Sequence, residues 1–233
     1  MNAEVQAVSR SYAELVGQAR QLAATGRRSI LGVTGAPGAG KTTLAQALTD
    51  TLGDDAALVT MDGFHLANPV LESLGLRSRK GAPDTFDVSG YVALLRRLRN
   101  QDEEIIYAPV FDRALDAAIG SATPVRRDTP LIITEGNYLL LHEDGWNEVA
   151  GLLDTSWFVA PTEDVRQEWL IRRHELYGLS AEHARDWALG TDQSNADLVA
   201  TTRGSADLVV CITDLPLPAE ADAGATREKG NSR

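Results

Sequence analysis

Ser29-Ile-Leu-Gly-Val-Thr-Gly-Ala-Pro-Gly-Ala-Gly-Lys-Thr-Thr43 runs from an apolar stretch straight into a glycine-rich turn and then a helix-forming one. Residues 29–34 read as a buried strand, and Lys41 to Leu52 reads as a helix with Leu44, Leu48 and Leu52 on one face and Gly53 as its cap. The turn between them, Gly35, Ala36, Pro37, Gly38, Ala39 and Gly40, matches the phosphate-loop pattern Gly-x4-Gly-Lys-Thr in the strand-to-helix setting that the pattern requires. Glycines allow main-chain N–H groups to point inward at oxyanions, and the helix start adds partial positive charge. Lys41 would reach the β- and γ-phosphates, Thr42 would ligate Mg2+, and Thr43 completes the loop. The stretch predicts a site for a nucleoside triphosphate with magnesium.

Outward from this unit, short apolar segments alternate with helical ones. Ala57 to Met61, Leu131 to Thr134, Ser156 to Val159 and Leu208 to Ile212 read as further strands, and Ile105 to Ala108 as a short one. Val88 to Leu98, with Asp87 as N-cap, Glu163 to Tyr177, and Ala181 to Leu189 after Ser180 read as helices. The alternation predicts an α/β fold: a five-stranded parallel sheet between helical layers. Residues 1–27 are expected to form a helix, running over 3–25, packed on the core. Residues 28–214 are expected to form the main domain and 215–233 a disordered tail.

The chain has 233 residues and a formal net charge of −11, which disfavours nucleic acid as a partner. No apolar run approaches the ~18 residues of a membrane span, and the first residues lack a secretory pattern. Cys211 is the single cysteine, so the expected location is the cytoplasm, as a monomer or homodimer. Of 22 basic residues only Lys41, Lys80 and Lys229 are lysines. Where arginine is the default cation, a lysine inside the domain calls for a chemical reason or is chance.

Asp62 and Glu135 each follow a predicted strand. Carboxyl ends of neighbouring parallel strands border the ligand crevice, so both acids could face the γ-phosphate. One would serve the metal and the other the attacking hydroxyl; either could instead cap the turn that follows it.

After the phosphate loop, Met61-Asp-Gly-Phe-His65, Lys80-Gly-Ala-Pro-Asp-Thr-Phe-Asp87, Tyr107-Ala-Pro-Val-Phe-Asp-Arg113 and Glu135-Gly-Asn-Tyr138 occur in that order. This set resembles the uridine kinase, type I pantothenate kinase and phosphoribulokinase group of P-loop kinases, over about residues 28 to 213. It is most similar to the short bacterial members described as nucleoside/nucleotide or fructose-transport-system kinases. The resemblance implies a P-loop NTPase three-layer fold with a helical lid and transfer of phosphate from ATP, with Mg2+, to a small-molecule acceptor. It implies that Asp62 is the base, that His65, Lys80, Tyr107 and Arg113 lie on the acceptor side, and that Glu135 helps hold the metal. Arg172 and Arg173, on the long helix with Arg166 and His174, resemble lid arginines that offset transition-state charge. Nucleoside, pantothenate-like and sugar acceptors all fit. A nucleoside triphosphatase or switch without an acceptor shares the loop and Glu135, but has no use for the Lys80 to Asp87 stretch or the Asp112-Arg113 pair.

Overall fold

The computed structural model describes residues 6–215. Eight strands and eight α-helices follow one another as β1 (Val8–Arg10), α1 (Tyr12–Ala23), β2 (Ser29–Thr34), α2 (Lys41–Leu52), β3 (Ala56–Thr60), α3 (Asn68–Ser73), α4 (Val88–Arg99), β4 (Ile105–Asp112), β5 (Ala117–Arg126), β6 (Leu131–Glu135), α5 (Asn147–Ala150), β7 (Thr155–Val159), α6 (Glu163–Leu176), α7 (Ala181–Leu189), α8 (Thr191–Ala200) and β8 (Leu208–Ile212).

The main sheet is entirely parallel, in the order β1-β8-β7-β2-β6-β3. Every residue of β2 and of β6 is buried, as a strand covered on both faces must be. Alternate residues serve opposite layers. Leu31, Val33 and Ile133 pack with Leu15 of α1 and Leu44 and Leu48 of α2. Ile30 and Ile132 pack with Leu94 and Leu98 of α4 on the other side. A second cluster on that side gathers Tyr91, Leu95, Tyr138, Trp146 and Phe158.

The sheet has six strands among the described residues, not five. The extra one, β1, comes from the amino-terminal segment expected to be helical throughout. Val8–Arg10 pairs with Val210–Ile212, and the helix begins only at Tyr12. Ser11 and Glu14 form a reciprocal capping box there, which pins the helix start and frees the preceding residues to extend. The first five residues, and the predicted tail from Pro216 onward, lie outside the described residues.

Two further elements depart from expectation. The short strand predicted at 105–108 is the root of a hairpin, in which β4 runs to Asp112 and pairs antiparallel with β5. Most of β5 is exposed and carries no apolar alternation, so its pairing has no signature in the sequence. Beyond Gly190, whose φ of −99° and ψ of −96° break α7, the chain resumes as α8. The caps predicted at Gly53, Asp87 and Ser180 are all in place.

Leu48 is fully buried between α2 and the sheet. Leu48→Ala is expected to cost roughly 2–5 kcal/mol of stability in urea unfolding, from lost contacts and a residual cavity. A loss under about 1 kcal/mol would show that this layer is loosely packed.

Candidate active site

The parallel register converges three functional groups. Val33 at the end of β2 lies opposite Glu135, and Glu135 lies opposite Thr60 at the end of β3. The phosphate loop leaves β2, Asp62 follows β3 by two residues, and Glu135 sits between them. Gly40 adopts φ 88° as the N-cap of α2. At Gly38 (φ +82°) a Cβ would come within 2.7 Å of the Arg166 carbonyl oxygen, because the root of α6 packs directly over the loop. Arg166 is buried and clasps that contact, donating to the Pro37 carbonyl at 2.9 Å and to Glu163 at 2.8 Å.

Lys41 is buried, and its Nζ donates to the Ala36 carbonyl oxygen at 2.9 Å. Burial pushes its ammonium below the ordinary lysine value, and the Glu135 carboxylate opposes that fall. Glu135 is only 3% exposed. Burial, and then the nearby charge of Asp62, raise its carboxyl well above the usual carboxylate range, while Lys41 and a hydrogen bond with Thr42 pull the other way. A buried carboxylate beside a second carboxylate and the loop hydroxyl is a donor set that fits a divalent cation. Among the described residues no three His, Cys, Asp or Glu side chains form a metal cage by themselves. Thr42 and Glu135 would therefore share a Mg2+ with phosphate oxygens.

Next to this end lies a cavity of about 280 Å³ lined by Lys41, Thr42, Asp62, His65, Arg113 and Glu135 among others. Arg113 pairs with Asp62 at 3.3 Å and lies 5.9 Å from the centre of the Tyr177 ring. The His65 ring stacks between Phe86 and Phe111, with centroids 4.1 and 4.6 Å away. Its Nδ1 lies 2.8 Å from the Asp62 carbonyl oxygen, which can only accept, so Nδ1 carries the proton and Nε2 remains an acceptor. Burial lowers the imidazole's pKa, which keeps this neutral form.

Two expected site residues lie away from the cavity, and a third lines it with its donors engaged by protein oxygens. Tyr107 is 53% exposed, on the outer side of β4 opposite Pro124, and does not line the cavity. The inward positions of that strand are Ile106 and Ala108, because side chains alternate along it. Of the two lid arginines, Arg173 lines the cavity, whereas Arg172 lies on the outer face of α6 towards α7. Adjacent helical positions point about 100° apart, so both could not face inward. Lys80 borders the cavity, but all its ammonium donors are engaged: Asn68 Oδ1 at 2.8 Å, the Asp116 carbonyl at 2.8 Å and Asp116 Oδ1 at 2.9 Å. It fastens the 80–87 loop to the tip of the hairpin, where Asp116 holds a left-handed φ of 49°. This gives the lysine a chemical reason, since three donors on a compact head meet three oxygens.

The cavity also gathers residues to which sequence reasoning assigned no role. Asn137 follows Glu135, and His174, Trp187, Asp192 and Asn195 come from the three lid helices. His174 Nε2 bonds Asp192 Oδ2 at 2.7 Å and so joins α6 to α8. The stretch Asp192 to Asn195 stands out after the predicted end of α7 and resembles one in the short bacterial members, but with α8 not foreseen the two residues had no face to share, although their i, i+3 spacing could have paired them.

This geometry, a phosphate loop with two acids at neighbouring strand ends beside a cavity that Arg173 of α6 also lines, is that of a P-loop small-molecule kinase. Comparison with known proteins agrees: residues 30–212 match the model of the Phosphoribulokinase / Uridine kinase family, and the chain belongs to that family. It is 34% identical to the E. coli protein YggC over 81% of this chain and 79% of that one. It is 30% identical to "Putative uridine kinase C227.14" of Schizosaccharomyces pombe, over 86% and 90% of the two chains. The crystal structure of a "putative fructose transport system kinase" from Silicibacter superposes with a TM-score of 0.78 at 36% identity, covering 86% of this chain and 99% of that one.

The different faces of the two lid arginines give a direct test. Arg173→Ala is expected to lower kcat at least a hundredfold, as loss of a transition-state cation does, while Arg172→Ala stays within about threefold of wild type. Equal losses in a steady-state ADP-release assay would mean that the lid does not present Arg173 to the phosphates.

Proposed function

We propose that this protein transfers the γ-phosphoryl group of ATP to a hydroxyl of a small metabolite. The observation that carries the reading is the cavity itself, which Lys41 and Thr42 of the phosphate loop line together with Asp62, His65, Arg113 and residues of the lid. A hydrolase or nucleotide switch would need the loop but not a walled space beyond Asp62.

In this reading Gly35, Ala36, Pro37, Gly38, Ala39 and Gly40 turn their amides to the phosphates, with Thr43 closing the loop. Lys41 neutralises the β,γ-oxygens. Thr42 and Glu135 hold Mg2+, which when bound offsets phosphate charge. The acceptor oxygen attacks Pγ, the bond from Pγ to the bridging oxygen breaks, and ADP leaves. Asp62 takes the hydroxyl proton, while Arg113 at 3.3 Å holds its carboxylate in place. Arg173 neutralises the phosphoryl group in flight. ATP as the donor also accords with a cytoplasmic place, and among the described residues no helix is long and apolar enough to cross a membrane.

Lys41→Ala is expected to abolish turnover. Asp62→Asn is expected to keep Mg-ATP affinity, measured calorimetrically, and to cut phosphoryl transfer by about 10² or more. Parallel losses of binding and transfer would make Asp62 a metal ligand rather than the base, and near-normal turnover of Lys41→Ala would refute the site.

A further inference from the structure

Arg77 and Lys80 both bear on a single carboxylate. Arg77 Nη2 lies 2.9 Å from Asp116 Oδ2, and Lys80 Nζ lies 2.9 Å from Asp116 Oδ1. Burial raises the Asp116 carboxyl, but hydrogen bonds from Lys80 and Asn68 hold it below its ordinary value, so it is ionised. Two cations against one anion leave one positive charge uncancelled at the hairpin tip. In a chain of net charge −11, such an excess on a cavity wall is a local concentration of cations and not a background. Arg77 also has donors to spare. Its one hydrogen bond among the described residues runs from Nη2, which leaves Nε and Nη1 without a protein partner. Nor does the hairpin latch depend on it, since Lys80 and Asn68 already hold Asp116 by its carbonyl and by both carboxylate oxygens.

The place of these cations relates them to the proposed base. Lys80 Nζ lies 4.9 Å from the centre of the Phe111 ring, the Phe111 and His65 rings are 4.6 Å apart, and His65 Nδ1 lies 2.8 Å from the Asp62 carbonyl oxygen. The two rings therefore form a floor between the cations and Asp62, and all of them line one cavity. A compound lying on this floor would bring a hydroxyl to Asp62 and its far end to Arg77 and Lys80. An anion there would stand apart from the triphosphate, which has Lys41 at the loop and Arg173 close enough to Lys41 to lower its pKa. Size sets no narrow limit. A second cavity of about 480 Å³ shares Thr42, Asp62, Phe111, Arg113 and Glu135 with the first and leaves room for a larger acceptor.

We infer that Arg77, with the Lys80–Asp116 pair, forms an anion subsite, and that the phosphoryl acceptor is a hydroxyl compound carrying a carboxylate or a phosphate. The planar fork of an arginine suits either group. This rests on the kinase reading above and narrows it. The test is a panel of hydroxy acids, sugar monophosphates, neutral sugars and polyols, and nucleosides, each with Mg-ATP, with the phosphorylated product detected by mass. One of the first two classes is expected to form product, and which of them does so distinguishes a carboxylate from a phosphate. For that acceptor, Arg77→Gln is expected to raise KM about tenfold or more, the factor that one charged hydrogen bond carries, with kcat, the melting temperature and calorimetric Mg-ATP affinity unchanged. The uncharged analogue, an amide in place of the carboxylate or the free sugar in place of its phosphate, should show the same penalty in wild type and none further in the variant. Neutral sugars, polyols or nucleosides turned over as well as any anionic compound, or better, overturn this inference and leave the kinase reading standing. Mg-ATP binding with no product from any class overturns both. If Arg77→Gln leaves KM unchanged, or lowers thermal stability and the affinity for both substrates together, Arg77 belongs to the latch alone and the subsite falls.

Discussion

A lysine at the start of α2 and a glutamate at the end of β6, both buried and close enough to shift each other's charge, are the constraint on which this site is built. Burial pushes each toward its neutral form and their mutual attraction opposes it, so the pair is balanced without being settled. In the proposed reading a triphosphate with its cation would complete the balance, with anions for Lys41 and positive charge for Glu135. The parallel pairing of β2, β6 and β3 enforces this closeness, because the register sets Glu135 opposite both Val33 and Thr60. No side-chain adjustment elsewhere could substitute for it.

The elements around that pair are tied to one another. The root of α6 lies so close to the phosphate loop that only glycine fits at position 38, and Arg166 bolts the two together. On the far side, Lys80 and Asn68 grip Asp116 and so fix the hairpin that carries Arg113. Donor loop, base and hairpin tip are thereby referred to one frame. Lids and loops that act on a reaction need such reference points, since a small misplacement of the reacting groups costs heavily in rate. Lys80, expected at the acceptor, borders the cavity and bonds Asp116 and Asn68.

Much of this was readable along the chain. Ser29 to Thr43 declares strand, loop and helix in one stretch, and the buried strands announce themselves as unbroken apolar runs. Asp62 and Glu135 could be placed together because strand ends in a parallel sheet share an edge. The hairpin strand β5 was not readable, since Ala117–Arg126 is half-polar and exposed and exists by virtue of pairing with β4. The edge strand β1 was masked by a helical spacing that Val8 happens to share with the helix beginning at Tyr12.

Local order along the chain, then, was enough to specify the phosphate cradle, the acids beside it and the layered fold, because each follows from contiguous residues with a strong intrinsic pattern. That Arg173 and not Arg172 lines the cavity, that Tyr107 looks outward and that Lys80 is spent on Asp116 were set by packing. These depend on the rotation of a helix and the pairing of distant strands, and no spacing along the chain encodes either until the layers close on one another.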